Sequence, residues 1–238
     1  MSLPPVSSFT NYGSVKVVKT FDELVATPFK NGVNALCWER SLTGDFNEVV
    51  DHIGVSEDLA TLDDATLMSL PLSAAGRAAV TTLIDDQQRL RALGLSPILD
   101  CIRSYPRDEE DALVPTDVYS FHADSATVPT DTYLCSYTEA ASEGLRNEEA
   151  RRYIDIPETR AALLKAYGGR DDSEFAEYLK EHCYDLHYVT VAHARPYSFG
   201  LGNLWRIAVA HPDCPVPPCV HRAPMTRPDQ RPRLLLIS

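Results

Sequence analysis

Apolar residues fall into two textures along the chain. From Asn47 to Gly94 they recur at helical spacing, as at Leu59, Leu62, Leu67 and Leu70 and then Ala79, Leu83, Leu90 and Leu93, the interval that gathers them on one side of a helix. Two or three helices are predicted there, the longest opened by Ser73 as N-cap and closed by Gly94. Thr20 with Glu23 matches a capping box before Leu24 and Val25 and predicts a short helix. VNALCWER (33–40) reads as a strand. Residues 1–19, rich in Ser, Pro and Gly around one short apolar run, read as an arm able to add a strand.

Beyond Gly94 the segments shorten and turn aromatic and β-branched. PILDCIRS (97–104), DVYSFHAD (117–124) and DTYLCSYT (131–138) predict strands in succession, separated by Pro, Asp and Ser. A helical insert follows: PETRAALLKAYGG (157–169) ends on a Gly pair, and DSEFAEYLKEHCYDL (172–186) opens on acidic residues. Strands resume at HYVTVAHA (187–194), LWRIAVAH (204–211), Cys219 to His221 and PRLLLIS (232–238). Helices first and strands afterwards predict an α+β fold whose helices brace one side of a barrel. The reading is a single domain over 1–238: arm and supporting helices in 1–96, β-barrel in 97–238, helical insert in 145–186. The helices of 47–94 either pack on the barrel exterior or offer a homodimer face.

Composition narrows the partners. The chain is 44% hydrophobic and 24% charged, the balance of a protein with a substantial core. Its formal charge of -12 is spread along the sequence, so nucleic acid and anionic membranes are not expected partners. With no basic start before an apolar run and no stretch of ~18 apolar residues, a cytoplasmic location is the expectation. Four of the six cysteines lie in apolar settings, as buried free thiols do; only Cys214 and Cys219 sit close together.

Candidate chemistry centres on His122-Ala123-Asp124 and on His221, just before the last predicted strand. Residues i and i+2 of a strand share a face, so His122 and Asp124 can both point into the barrel. A third ligand from a strand paired nearby completes a two-His, one-carboxylate face that leaves positions open for water, O2 or substrate. Arg231 and Arg233 follow on the last strand, where a guanidinium can clamp a carboxylate such as that of 2-oxoglutarate. Arg233 is the better placed, because Arg231 precedes Pro232 and falls toward the turn.

This order of a His-x-Asp strand, a following strand, an insert, further strands, a distal His and a strand-borne Arg resembles the Fe(II)/2-oxoglutarate oxygenases. They are built on the double-stranded β-helix, the cupin-like jelly-roll, and the likeness covers roughly residues 97–238. More narrowly, FHAD…YLCSYTEAASEGL with VHRAP…RPRLLLIS is similar to a bacterial family of such domains with no assigned activity. The resemblance implies iron(II) held by His122, Asp124 and His221, and 2-oxoglutarate held by Arg233 with Tyr133 or Tyr137. It further implies oxidative decarboxylation of 2-oxoglutarate coupled to hydroxylation of a small molecule or a side chain.

Other readings compete for the same residues. One His-x-Asp/Glu is expected by chance from seven His and 34 acidic residues, and a second occurs at His211-Pro-Asp213, in a Pro-rich stretch that reads as a loop. Cys214 and Cys219 with His221 and either His211 or Asp213 are suitable zinc ligands, at a spacing foreign to the standard finger patterns. His193 either lines the pocket or is a structural histidine. Cys135 or Ser136 as a nucleophile has no supporting elbow. Two functional alternatives remain: a cupin-like metalloenzyme that does not use 2-oxoglutarate, and a non-catalytic ligand-binding barrel.

Overall fold

A computed structural model describes residues 13–54, 58–227 and 229–238. Its amino-terminal half runs β1 (Val15–Val18), α1 (Phe21–Ala26), β2 (Ala35–Trp38), α2 (Phe46–Ile53), β3 (Leu59–Thr61), α3 (Asp64–Ser69), α4 (Ala74–Ala92) and β4 (Ile98–Ile102). Then come β5 (Phe121–His122), β6 (Asp131–Ser136), β7 (Glu143–Leu145), β8 (Ala150–Arg152), α5 (Pro157–Tyr167), α6 (Ser173–Glu181), β9 (His187–Thr190), β10 (Tyr197–Ser198), β11 (Leu204–Ala208), β12 (Val220–Arg222) and β13 (Arg233–Ile237). The fold is α+β, as expected. Of the predicted arm, 15–18 form β1; residues 1–12 lie outside the described residues.

Local chemistry explains the helix ends. Thr20 accepts from the Glu23 amide at 3.1 Å and opens α1. Ser73 accepts from the amides of Ala75 and Gly76 and opens α4, satisfying donors that a helix N-terminus otherwise leaves orphaned. One expectation fails: Leu59 to Thr61 is a strand, not helix, because it pairs with β4 in the register Leu59↔Ile102 to Thr61↔Asp100. Three further strands, β7, β8 and β10, were not legible at all, and β7 ends where the helical insert was placed.

The strands form two sheets. One has seven strands in the order β1-β2-β11-β6-β13-β4-β3, the other six in the order β10-β7-β12-β5-β9-β8. Side-chain alternation divides the seven-stranded sheet into two packed faces. Toward the helices it sends Leu36, Leu99, Tyr133, Cys135, Tyr137, Leu204, Leu234 and Leu236, which join Val49, Leu83 and Leu90 in one core. Toward the other sheet it sends Ile102, Leu134, Trp205, Ile207 and Leu235, which meet Tyr197 and Phe199. Burial on both faces is why runs such as LLLI are continuously apolar. Each fully buried Leu contributes roughly 1.5–3 kcal/mol.

A buried ion pair ties the helical layer to the sheet. Arg40 donates to Asp86 of α4 at 2.7 Å and to the Gly202 carbonyl at 2.7 Å, and the Tyr137 hydroxyl donates to Asp86 at 2.7 Å. The insert has its own core of Val114, Ile154, Leu163, Phe175 and Leu179. Among the described residues, no helix is long and apolar enough to cross a membrane.

Candidate metal centre

Two short strands set the site. In β5 and β12 the residues His122 and His221 are direct antiparallel partners, so both imidazoles leave the same face of the six-stranded sheet, toward the barrel interior. Their ring centroids lie 4.6 Å apart. Asp124 follows β5 by two residues, where its carbonyl accepts from the amide of Ala210, two residues past β11, and its Oδ1 lies 3.8 Å from His221 Nε2. One ligand atom from each of His122, Asp124 and His221 falls within 4.8 Å of the others. Among the described residues this is the one group of three or more His, Cys, Asp or Glu side chains that converges so.

Hydrogen bonds around the three residues orient them. His122 Nδ1 lies 2.9 Å from the Ser120 carbonyl and His221 Nδ1 lies 3.3 Å from the Cys219 carbonyl. A carbonyl only accepts, so both Nδ1 atoms carry the proton in neutral rings and both Nε2 lone pairs are left for a cation. Asp124 Oδ2 accepts from the Thr132 hydroxyl at 2.6 Å, which leaves Oδ1 as the coordinating oxygen. Burial, reinforced by repulsion from His221, pushes His122 down to about 4. For Asp124 burial acts upward, but His221 and the Thr132 hydroxyl outweigh it and hold the carboxyl below its usual range. With both rings deprotonated at Nε2 the donor set is two imidazoles and one carboxylate, which suits a divalent transition metal.

Arg233 also points inward. It is buried, and its Nη2 donates to Ser136 Oγ at 2.9 Å and Ser142 Oγ at 2.6 Å. Its Nε is buried with no hydrogen-bond partner. Burial lowers its pKa, and among the described residues no carboxylate forms an ion pair with it. Ser142 lies just ahead of β7, two residues before Gly144, and Gly144 is the register partner of His221. Arg233 therefore reaches the barrel wall about 7 Å along β7 from the position opposite His221.

Three expectations about co-substrate residues are corrected. Tyr133 and Tyr137 lie on the helix-facing side of β6, where Tyr137 stacks on Phe46 at 5.3 Å; alternation turns them away from the interior that Thr132, Leu134 and Ser136 line. Arg231 is half-exposed and bonds Asp51 of α2 at 3.0 Å.

The competing readings separate as well. All six cysteines are free thiols. Cys214 Sγ donates to the Val216 carbonyl at 3.0 Å, Cys219 is buried beside Tyr197, and His211 Nδ1 accepts from the Asp213 amide at 3.2 Å, so these groups do not assemble a zinc site. Cys135 is buried, which pushes its thiol up to about 12 and removes it as a nucleophile. His193 is an exposed turn residue with φ of 66°. The histidine that does adjoin the centre is His187, partner of His122 in β9, with ring centroids 5.6 Å apart and Nδ1 2.7 Å from Ser120 Oγ. Sequence reading passed over it, and over Thr132 and Ser142, and weighed Ser136 only as a nucleophile. Comparison with protein-family models, curated proteins and solved structures returned no match.

Proposed function

We propose that the chain is a metal-dependent oxygenase of the Fe(II)/2-oxoglutarate type, with His122, Asp124 and His221 as metal ligands and Arg233 as the co-substrate anchor. The carrying observation is the buried guanidinium of Arg233, with no carboxylate paired to it among the described residues, aimed from the seven-stranded sheet toward the sheet that bears the converging histidines. A charge left unpaired inside a protein is costly, and its retention here fits an anion that arrives with the ligand. Strand order supports the architecture: β4, β6, β11 and β13 fall in one sheet and β5, β7, β10 and β12 in the other. Successive strands thus alternate between sheets from β4 to β7 and again from β10 to β13, as a double-stranded β-helix does, while β7, β8, β9 and β10 all stay in the six-stranded sheet.

Each residue has a defined task in this reading. The Ser120 and Cys219 carbonyls fix the imidazole tautomers, and Thr132 keeps one Asp124 oxygen facing the cation. Ser136 and Ser142 accept from Arg233, which frees their own hydroxyl protons to join Nε in binding a carboxylate. Leu134, Phe199 and Trp205 make the interior apolar and exclude water. Bound iron(II) would supply O2 activation coupled to decarboxylation of the 2-oxo acid. In anaerobic titration of the purified protein, iron(II) should bind at one equivalent, and 2-oxoglutarate should then raise a weak visible charge-transfer band that Arg233→Ala abolishes. Metal binding without the band would favour a metalloenzyme that does not use 2-oxoglutarate; unchanged metal content in His122→Ala would leave only a ligand-binding barrel.

A further inference from the structure

The helical layer packs on the seven-stranded sheet, and its own outer surface is unfinished. α4 buries Ala79, Leu83 and Leu90 in the core it shares with the sheet. Arg77, Val80, Thr81, Ile84 and Asp85 recur at i, i+3, i+4, i+7 and i+8, the spacing of one helix face, and border a groove between α4 and residues 67–72. The groove holds about 430 Å³ over an apolar floor of Leu67, Leu70, Leu72, Val80 and Ile84. Met68, at its rim, is 68% exposed. Apolar surface gathered in one place and edged by polar residues marks a contact site.

The charges on this face say what covers it. Arg77 and Asp85 are both exposed, and neither forms an ion pair among the described residues. Arg77 Nη1 donates to the Leu72 carbonyl, a bond that leaves its other N–H groups for a carboxylate. Eight residues apart, the two charges stand ~12 Å from each other along the helix, too far to pair. Thr81 lies midway between them. A two-fold axis through Thr81, perpendicular to α4, lays a second α4 antiparallel on the first and sets Arg77 of each copy opposite Asp85 of the other, the reciprocity an isologous contact requires. The same operation sets Ala78 opposite Ile84 and Ala74 opposite Gln88, small against large in both cases, and opposes no like charges along α4. We propose that the chain forms a homodimer through α4, with Thr81 on the two-fold axis, reciprocal Arg77–Asp85 ion pairs across it and the partner helix lying over the apolar groove.

The proposal does not depend on the oxygenase reading, because α4 lies behind the sheet from the metal centre. One helix face is a smaller contact than the ~800 Å² per partner of a standard interface, so sedimentation equilibrium of the full chain should give a dimer with a Kd of ~1–100 µM. Arg77→Glu and Asp85→Arg, at exposed positions that folding tolerates, should each weaken dimerisation at least about tenfold, since two symmetric pairs turn repulsive at once. The double variant Arg77→Glu/Asp85→Arg should return the Kd to within about threefold of the original, as coupled sites do. In a Cys183→Ser background, which removes an exposed native thiol, Thr81→Cys should oxidise to a disulfide-linked dimer, whereas Gln88→Cys, opposite Ala74, should not. His122→Ala should dimerise as the original chain does. A chain that stays monomeric at about 100 µM would overturn the proposal and give the face to a foreign partner. A double variant no tighter than the single ones, or crosslinking at 88 in place of 81, would overturn it too.

Discussion

His122 and His221 stand opposite each other across an antiparallel strand pair, and each is fixed by the carbonyl two residues before it, Ser120 and Cys219. The same local device, used twice, aims two Nε2 atoms at one point. Asp124 joins them under the control of Thr132.

Metal affinity should therefore depend on Thr132 although it is no ligand. Thr132→Val, which keeps the shape and removes the hydroxyl, should weaken divalent metal binding about 10- to 100-fold, and Thr132→Ser should restore most of it. Competition titration against a chelating dye measures this. Equal affinity in the Val variant would show that Asp124 needs no support.

Arg233 predicts an opposition between stability and binding. Its buried charge has no ionic partner among the described residues, so Arg233→Met should raise the stability of the ligand-free protein by about 1–3 kcal/mol in urea unfolding. Co-substrate binding should be lost in the same variant. A destabilised Arg233→Met protein would mean that the bonds to Ser136 and Ser142 already compensate the charge.

The helix-facing network should behave oppositely. Tyr137→Phe removes the bond to Asp86 and should cost about 1–2 kcal/mol, and Arg40→Ala, which strands Asp86 as a buried charge, about 3–5 kcal/mol. Neither should alter metal affinity measured on the folded protein, since both groups lie behind the sheet.

Acid should weaken the metal-free fold in a defined window. His122 is depressed from 6.5 to about 4 by burial and by His221. The unfolded chain therefore binds a proton between those values that the folded chain refuses, so stability falls as pH drops from about 6.5 to 4. The contribution is on the order of 3 kcal/mol. Asp124, also depressed, adds a loss in the same direction only at lower pH, as it protonates. Urea midpoints across this range should flatten in His122→Asn.

Much of the centre was legible because its cues are local. His122 and Asp124 sit two apart on a strand, and Arg233 abuts an apolar run, so each could be assigned from a few neighbouring residues. What failed depended on distant pairing. Leu59 to Thr61 has helical spacing, but its register with β4 decides its structure. Tyr133 and Tyr137 were given the wrong face because a strand buried on both sides does not announce its phase by polarity alone. The alternate polar positions Thr132 and Ser136 did mark the inner face. His187 came to the site only through its register with β5, which nothing near it in sequence encodes.

One consequence of the sheet order concerns synthesis. β4 and β6 are not hydrogen-bonded to each other; β13, made about 100 residues after β6, fits between them and pairs with both. Until it emerges, two apolar strands must wait on the ribosome with bare edges, the condition that invites wrong partners. Arg233 begins that late strand, so the positive charge enters the interior in the same event that closes the sheet.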